Sequence, residues 1–128
     1  MIVADASVVL EILRQTSAGV EFQDLLFQHS VHAPYLLDIE VTHGLRRLER
    51  SAQMDVRQAL NSLAILRDMR IQRYPHTPLL DEIWKLRHNL TAYDATYLAL
   101  ALWLRADLVT MDAGLRNEAL RHGVKVLR

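Results

Sequence analysis

The sequence predicts an α/β fold of three layers, in which a parallel sheet of about five strands is covered by helices on both faces. Short apolar runs, each of strand length, alternate along the chain with longer amphipathic segments. This alternation is typical of parallel sheets. The chain has 128 residues, of which 51% are hydrophobic. That is enough for one core, so we expect a single domain over residues 1–128.

The first half of the chain is predicted to contain two strands and four helices. A strand is predicted where a short apolar run ends in a polar residue or a proline. A helix is predicted where apolar residues recur every three or four positions. Ser7 follows the acid that ends the first run and is a candidate cap for the first helix. The predicted elements are a strand at 2–5, helices to about 13 and from about 17, a strand at 31–33, and helices at about 37–50 and 54–69.

The second half alternates in the same way. Pro75 and Pro78 interrupt the chain after a third strand, because proline has no backbone N–H to donate. The segment 92–105 is so uniformly apolar that we expect a helix buried on most sides. Gly123 is placed to end the helix after it. The predicted elements are a strand at 69–74, helices at about 79–87 and 92–105, a strand at 108–110, a helix at 113–121 and a last strand at 124–127.

Composition narrows the class of protein. Fifteen basic and fifteen acidic residues give no net charge, so the chain has no overall attraction for nucleic acid. The absence of cysteine excludes disulfides and thiolate metal sites. No basic segment precedes a long apolar run, and the longest apolar stretch, 98–104, is too short to cross a bilayer. We therefore expect a cytoplasmic protein without a signal peptide or a membrane partner.

Four acidic residues are predicted to converge at one edge of the sheet. Asp5 closes the first strand and Asp112 follows the fourth, and ligands of open parallel sheets bind at this carboxyl edge. Glu40 lies near the start of the helix that leaves the second strand at the same edge. The helix that carries Asp94 must end at the amino edge to reach the fourth strand within a few residues. Its beginning, with Asp94, therefore lies at the carboxyl edge.

Clustered carboxylates point to a divalent cation. They repel one another, and some would have to hold protons unless a cation lies among them. Oxygen ligands suit Mg²⁺ or Mn²⁺, which would orient a water for phosphodiester hydrolysis and neutralise charge on the leaving oxygen. The sequence leaves open whether one metal ion or two would bind. Each acid also has a simpler interpretation: Asp5, Asp94 and Asp112 as parts of helix caps, and Glu40 as a surface acid paired with an arginine.

These segments resemble a known family. They are IVADASVV at 2–9, APYLLDIEV at 33–41, LTAYDATYLA at 90–99 and LVTMD at 108–112. Their order, spacing and flanking residues are similar to the motifs of PIN-domain nucleases over nearly the whole chain. The segment at 90–99 is the most specific match. The compact size and the Tyr-Asp-Ala motif resemble the VapC-type toxins in particular.

The resemblance implies a sheet of strand order 3-2-1-4-5 and a Mg²⁺- or Mn²⁺-dependent endoribonuclease. Asp5, Glu40, Asp94 and Asp112 match the catalytic, metal-binding acids of that family. Ser7 and Thr110 match small polar positions that support these acids. The resemblance also implies a homodimer, held inactive by a cognate antitoxin as in type II toxin–antitoxin pairs. With RNA as substrate, the candidates to hold its phosphate backbone are Arg14, Arg46, Arg47, Arg50, Arg87 and Arg116.

Two other interpretations stay open. The first is a phosphatase or phosphotransfer domain with an acidic pocket on a similar sheet. Many such enzymes have a second acid two residues after the first, where this chain has Ser7. The second is a catalytically silent module that binds RNA or protein. Loss of one or more of the four acids would indicate such a module, and all four are present.

Overall fold

A computed structural model describes all 128 residues, and it contains four strands and seven α-helices. The strands all pair in parallel in the order β3-β2-β1-β4, so the predicted α/β fold with a parallel sheet is confirmed. The elements are β1 (Ile2–Ala4), α1 (Ala6–Arg14), α2 (Ser17–Phe27), β2 (Val31–Pro34), α3 (Leu36–Arg50), α4 (Val56–Asp68), β3 (Ile71–Tyr74), a 3₁₀ turn (Thr77–Leu79), α5 (Leu80–Lys85), α6 (Ala92–Leu104), β4 (Asp107–Val109) and α7 (Ala113–Arg121).

The prediction of a fifth full strand at 124–127 is wrong. This segment forms only a single parallel bridge, between Leu108 and Val126. Leu108 N–H donates to the Lys125 carbonyl at 2.8 Å, and Leu127 N–H donates to the Leu108 carbonyl at 2.9 Å. Because β4 has three residues, only its middle residue is used for pairing on this outer side. The segment does lie beside β4, where the order 3-2-1-4-5 places it.

The centre of the core is formed by β1 and α6. Ile2, Val3 and Ala4 of β1 are fully buried, since neighbouring strands flank them and helices cover both faces. Seven consecutive residues of α6, from 95 to 101, are also buried. The prediction of a helix buried on most sides is therefore confirmed. None of the helices combines the length and the apolar character that a membrane span requires.

The helix that leaves β1 is capped by Asp5 and not by Ser7. Asp5 Oδ1 accepts a hydrogen bond from the backbone N–H of Val8 at 3.2 Å, whereas Ser7 lies inside α1. Since the N-cap comes directly after the strand, α1 starts at the carboxyl edge of the sheet. The Asp5 carboxylate is thereby fixed at that edge.

The start of α3 is anchored to β3 by an ion pair. Arg73 Nε and Nη2 donate to the two carboxylate oxygens of Asp38 at 2.8 and 2.9 Å. Arg73 Nη2 also donates to the carbonyl of Leu66, at the end of α4, at 3.0 Å. No side chain caps α3, and Asp38 lies in its first turn. The ion pair therefore fixes the end of α3 from which Glu40 projects.

Candidate active site

The four predicted acids lie together at the carboxyl edge of the sheet. Burial is the main cause that raises the pKa values of Asp5, Glu40 and Asp94. Neighbouring charges raise them further: Asp112 acts on Asp5, Asp94 acts on Glu40, and both Asp112 and Asp5 act on Asp94. Each acid is thus within electrostatic range of at least one other. The structure brings these side chains from four separate segments into one cluster.

Asp5 is the most constrained of the four. It is 4% exposed, and its Oδ1 accepts hydrogen bonds from Ser7 Oγ at 2.6 Å and from Val8 N–H at 3.2 Å. Its Oδ2 accepts one from Thr110 Oγ1. These bonds favour the charged carboxylate and partly offset the effect of burial on its pKa. A carboxylate has about four lone-pair sites, so Oδ2 keeps one for a further ligand.

The two supporting hydroxyls also tie Asp5 to the loop that carries Asp112. Ser7 Oγ accepts a hydrogen bond from the backbone N–H of Met111 at 3.1 Å. Thr110 Oγ1 accepts one from the backbone N–H of Asp112 at 3.0 Å. Each hydroxyl therefore donates to the carboxylate and accepts from the loop. This double use explains why small polar side chains suit both positions.

Asp112 and Asp94 both lie at the starts of helices. Asp112 Oδ1 caps α7 by accepting from Leu115 N–H at 2.8 Å, which leaves Oδ2 free. Thr91 caps α6 by accepting from the backbone N–H of Asp94 at 3.2 Å, and the Asp94 carboxylate makes no reciprocal bond. Helix starts carry partial positive charge, which favours carboxylates. Capping and membership of the acidic cluster are therefore compatible for these residues.

The Glu40 side chain contacts Tyr97, for which the sequence predicted only a place in the buried helix α6. The hydroxyl of Tyr97 donates to Glu40 Oε1 at 2.6 Å, and Tyr97 is 1% exposed. Burial and the neighbouring Glu40 raise the pKa of Tyr97 far above its usual value, so the phenol remains a neutral donor. A buried tyrosine needs a partner for its hydroxyl. This need for a partner, and the position of Tyr97 three residues after Asp94, are the features of the sequence that could have indicated a role for Tyr97 at the site.

The cluster suits a hard divalent cation held largely through water. In the structure, no group of three carboxylate or imidazole side chains is arranged closely enough to hold a metal ion directly. Mg²⁺ keeps several of its waters and is usually bound through one or two carboxylates. Asp94 accepts no hydrogen bond from the protein, and Asp5 keeps a lone pair. A cation between them would also remove the repulsion that raises their pKa values.

The six candidate arginines fall into two groups. Arg87 lies between α5 and α6, before the end of α6 that carries Asp94, and Arg116 lies one turn into α7 after Asp112. Arg87 is also stacked on Trp84, 4.2 Å from the ring centre. The others lie farther along helices that lead away from the acidic edge, and they are Arg14, Arg46, Arg47 and Arg50. At 1.5 Å per residue, the last residue of α1 is about 12 Å from its start.

The fold and the site define an α/β protein with a cluster of carboxylates suited to a divalent cation. The chain belongs to the PIN-domain family, whose model matches residues 2–119, so the predicted family is confirmed. Ribonuclease VapC1 of Mycobacterium tuberculosis is 42% identical over 115 residues, which cover 88% of this chain and 86% of that protein.

Two solved structures have the same fold. The structure of Mycobacterium tuberculosis VapC20, described as a toxin that cleaves the sarcin–ricin loop, matches with a TM-score of 0.70 at 16% identity, over 92% of this chain and 95% of that one. A toxin–antitoxin complex from Klebsiella pneumoniae matches with a TM-score of 0.61 at 17% identity, over 88% and 87% of the two chains.

Proposed function

We propose that this chain is a metal-dependent endoribonuclease and the toxin of a type II toxin–antitoxin pair. The observation that carries the proposal is the convergence of Asp5, Glu40, Asp94 and Asp112 at one edge of the sheet. Membership of the PIN-domain family supports it. So does the ribonuclease name of the relative that is 42% identical to this chain.

Asp5 and Asp94 would be the main ligands of Mg²⁺ or Mn²⁺, directly or through water. Glu40 and Asp112 would complete the pocket. The bound cation would orient a water, lower its pKa and neutralise charge on the leaving oxygen. Ser7 and Thr110 hold Asp5 so that its open Oδ2 lone pair keeps one direction.

The RNA backbone would approach the acidic cluster along Arg87 and Arg116, because Arg116 lies one turn after Asp112 and Arg87 lies in the segment before the start of α6. Phosphate contacts supply most nonspecific affinity for nucleic acid. The chain has no net charge, so local placement of the arginines matters more than overall attraction. The four arginines farther along the helices remain candidates, but their placement supports them less.

We also propose that a cognate antitoxin holds this toxin inactive and that the toxin is a homodimer. The acidic pocket suits a basic side chain of an antitoxin, which would take the position of the cation. The toxin–antitoxin complex among the matching structures supports such a partner. Light scattering of the purified chain should give twice its mass of 14.7 kDa. A value of one chain mass at micromolar concentration would exclude the dimer.

The direct test is cleavage of structured RNA by the purified chain in Mg²⁺ or Mn²⁺, with and without EDTA. Asp94→Asn is the best inactive variant, because the Asp94 carboxylate accepts no hydrogen bond from the protein and the fold should survive its loss. Asp24→Asn is the matched control, since Asp24 is exposed on α2. We expect EDTA and Asp94→Asn to abolish cleavage, and Asp24→Asn to preserve it. A chain that binds RNA but never cuts it would be the silent module instead.

A further inference from the structure

Tyr97 is the buried hydroxyl at this site for which the proposed chemistry gives no role. Its side chain is 1% exposed, and its hydroxyl donates to Glu40 Oε1 at 2.6 Å. The two residues are 57 positions apart in the chain, so the bond joins α6 to α3 across the pocket. Packing alone does not require a hydroxyl at this position, since a phenylalanine ring fills nearly the same space.

The helix α6 contributes to the pocket in two ways. Tyr97 follows Asp94 by three residues, and side chains at that spacing share a face of a helix. Asp94 supplies a carboxylate directly, while Tyr97 reaches across to a carboxylate of α3. Tyr97 is also the only protein group that forms a hydrogen bond with the Glu40 side chain. Without that bond, a half-buried glutamate would regain rotamer freedom.

We infer that Tyr97 is a positioning residue, which holds Glu40 Oε1 so that Oε2 stays free to accept the cation or one of its waters. The inference rests on the proposed function. Groups that orient metal ligands by hydrogen bonds typically change metal affinity on the order of 10- to 100-fold when they are removed. The loss should therefore be measurable in metal binding itself, without reference to cleavage.

The test is calorimetric titration of the metal-free protein with Mn²⁺. Tyr97→Phe keeps the ring and removes only the hydroxyl. Tyr74→Phe is the matched control, because the Tyr74 hydroxyl makes a similarly short bond, 2.7 Å, to His32 and contacts none of the four acids. We expect Tyr97→Phe to weaken Mn²⁺ binding on the order of tenfold, and Tyr74→Phe to leave it unchanged.

A double variant separates positioning from a purely structural role. Glu40→Gln should also weaken Mn²⁺ binding, and Tyr97→Phe added to Glu40→Gln should cause little further loss, because the hydroxyl acts through Glu40. Tyr97→Phe with unchanged Mn²⁺ affinity, or with a loss that adds fully to that of Glu40→Gln, would overturn the inference. If the unmodified protein binds Mn²⁺ but Tyr97→Phe has no effect, only the role of Tyr97 fails. If the unmodified protein binds no Mn²⁺, the proposed function fails as well.

A second measurement needs no change at Tyr97. The chain has four tyrosines, so labelling with ¹³C at Cζ gives four signals, and Phe variants of Tyr35, Tyr74 and Tyr93 assign the fourth by elimination. We expect saturating Mg²⁺ to move the Tyr97 signal and to leave that of Tyr74 in place. A Tyr97 signal that does not respond to Mg²⁺ would contradict the inference, even if Tyr97→Phe did not fold.

Discussion

Thr110→Val should destabilise the metal-free protein, because it removes a hydroxyl that makes two hydrogen bonds. Thr110 is 2% exposed, and valine has nearly the same shape. The change removes the hydrogen bond to Asp5 Oδ2 and the acceptor for the backbone N–H of Asp112. A hydrogen bond to a charged group contributes about 1.5–3 kcal/mol, and a neutral one about 1 kcal/mol. Together these give a loss of about 3 kcal/mol.

This loss of stability can be measured as a fall in melting temperature. Unfolding entropy is about 2.1 cal/mol/K per residue, which is roughly 270 cal/mol/K for a chain of this length. A loss of about 3 kcal/mol therefore lowers the melting temperature by about 10 °C. The matched control is Thr96→Val, because Thr96 is also buried, at 5% exposure, but donates only to the Ala92 carbonyl of its own helix. Thermal melts at neutral pH followed by circular dichroism would measure both. A Thr110→Val melt within 2 °C or so of the Thr96→Val melt would refute the reasoning.

Three further predictions concern pH, an ion pair and the RNA contacts. The metal-free protein should lose stability as the pH rises from about 4 through the raised pKa values of buried Asp5 and half-buried Glu40 and Asp94, because the folded state then binds protons that the unfolded state has released. Saturating Mg²⁺ or Asp94→Asn should flatten that slope in thermal melts, and a slope of the opposite sign would contradict the shifts. Arg73→Ala should lower the free energy of unfolding by about 1–3 kcal/mol in urea unfolding, because the bidentate ion pair with half-buried Asp38 is lost. An unchanged urea midpoint would show that α3 is stable without this ion pair. Arg116→Gln should weaken RNA binding and reduce its salt dependence by about one unit of slope, whereas Arg50→Gln should do neither. Equal effects of the two would mean that RNA does not follow the acidic edge.

The convergence of the acids could be predicted because it depends on topology alone. In a parallel sheet every strand ends at the same edge, and the short connection from α6 to β4 places the start of α6, which carries Asp94, at that edge as well. The same argument, applied to the length of each helix, would also have separated Arg14 and Arg50 from the pocket. The order of the strands came from the resemblance and not from the pattern.

The contacts within the pocket could not be predicted from the sequence. The bond between Tyr97 and Glu40 joins residues 57 positions apart, and no local pattern fixes how α6 packs across α3. The double use of the Ser7 and Thr110 hydroxyls depends on the path of the loop after β4. The prediction of a full strand at 124–127 failed for a similar reason. The apolar pattern alone suggested a full strand, whereas the length of the neighbouring strand β4 limited the pairing.

The central claim is that the carboxylates at the sheet edge are adapted to a divalent cation. Since metal ligands must be deprotonated, Mg²⁺ or Mn²⁺ should displace protons from acids whose pKa values are raised. Calorimetry at several acidic pH values, in two buffers of different ionisation enthalpy at each, measures that release. We expect the unmodified protein to bind Mn²⁺ with release of protons, and Asp94→Asn to bind weakly with less release. No Mn²⁺ binding, or binding that Asp94→Asn leaves unchanged, would contradict the claim.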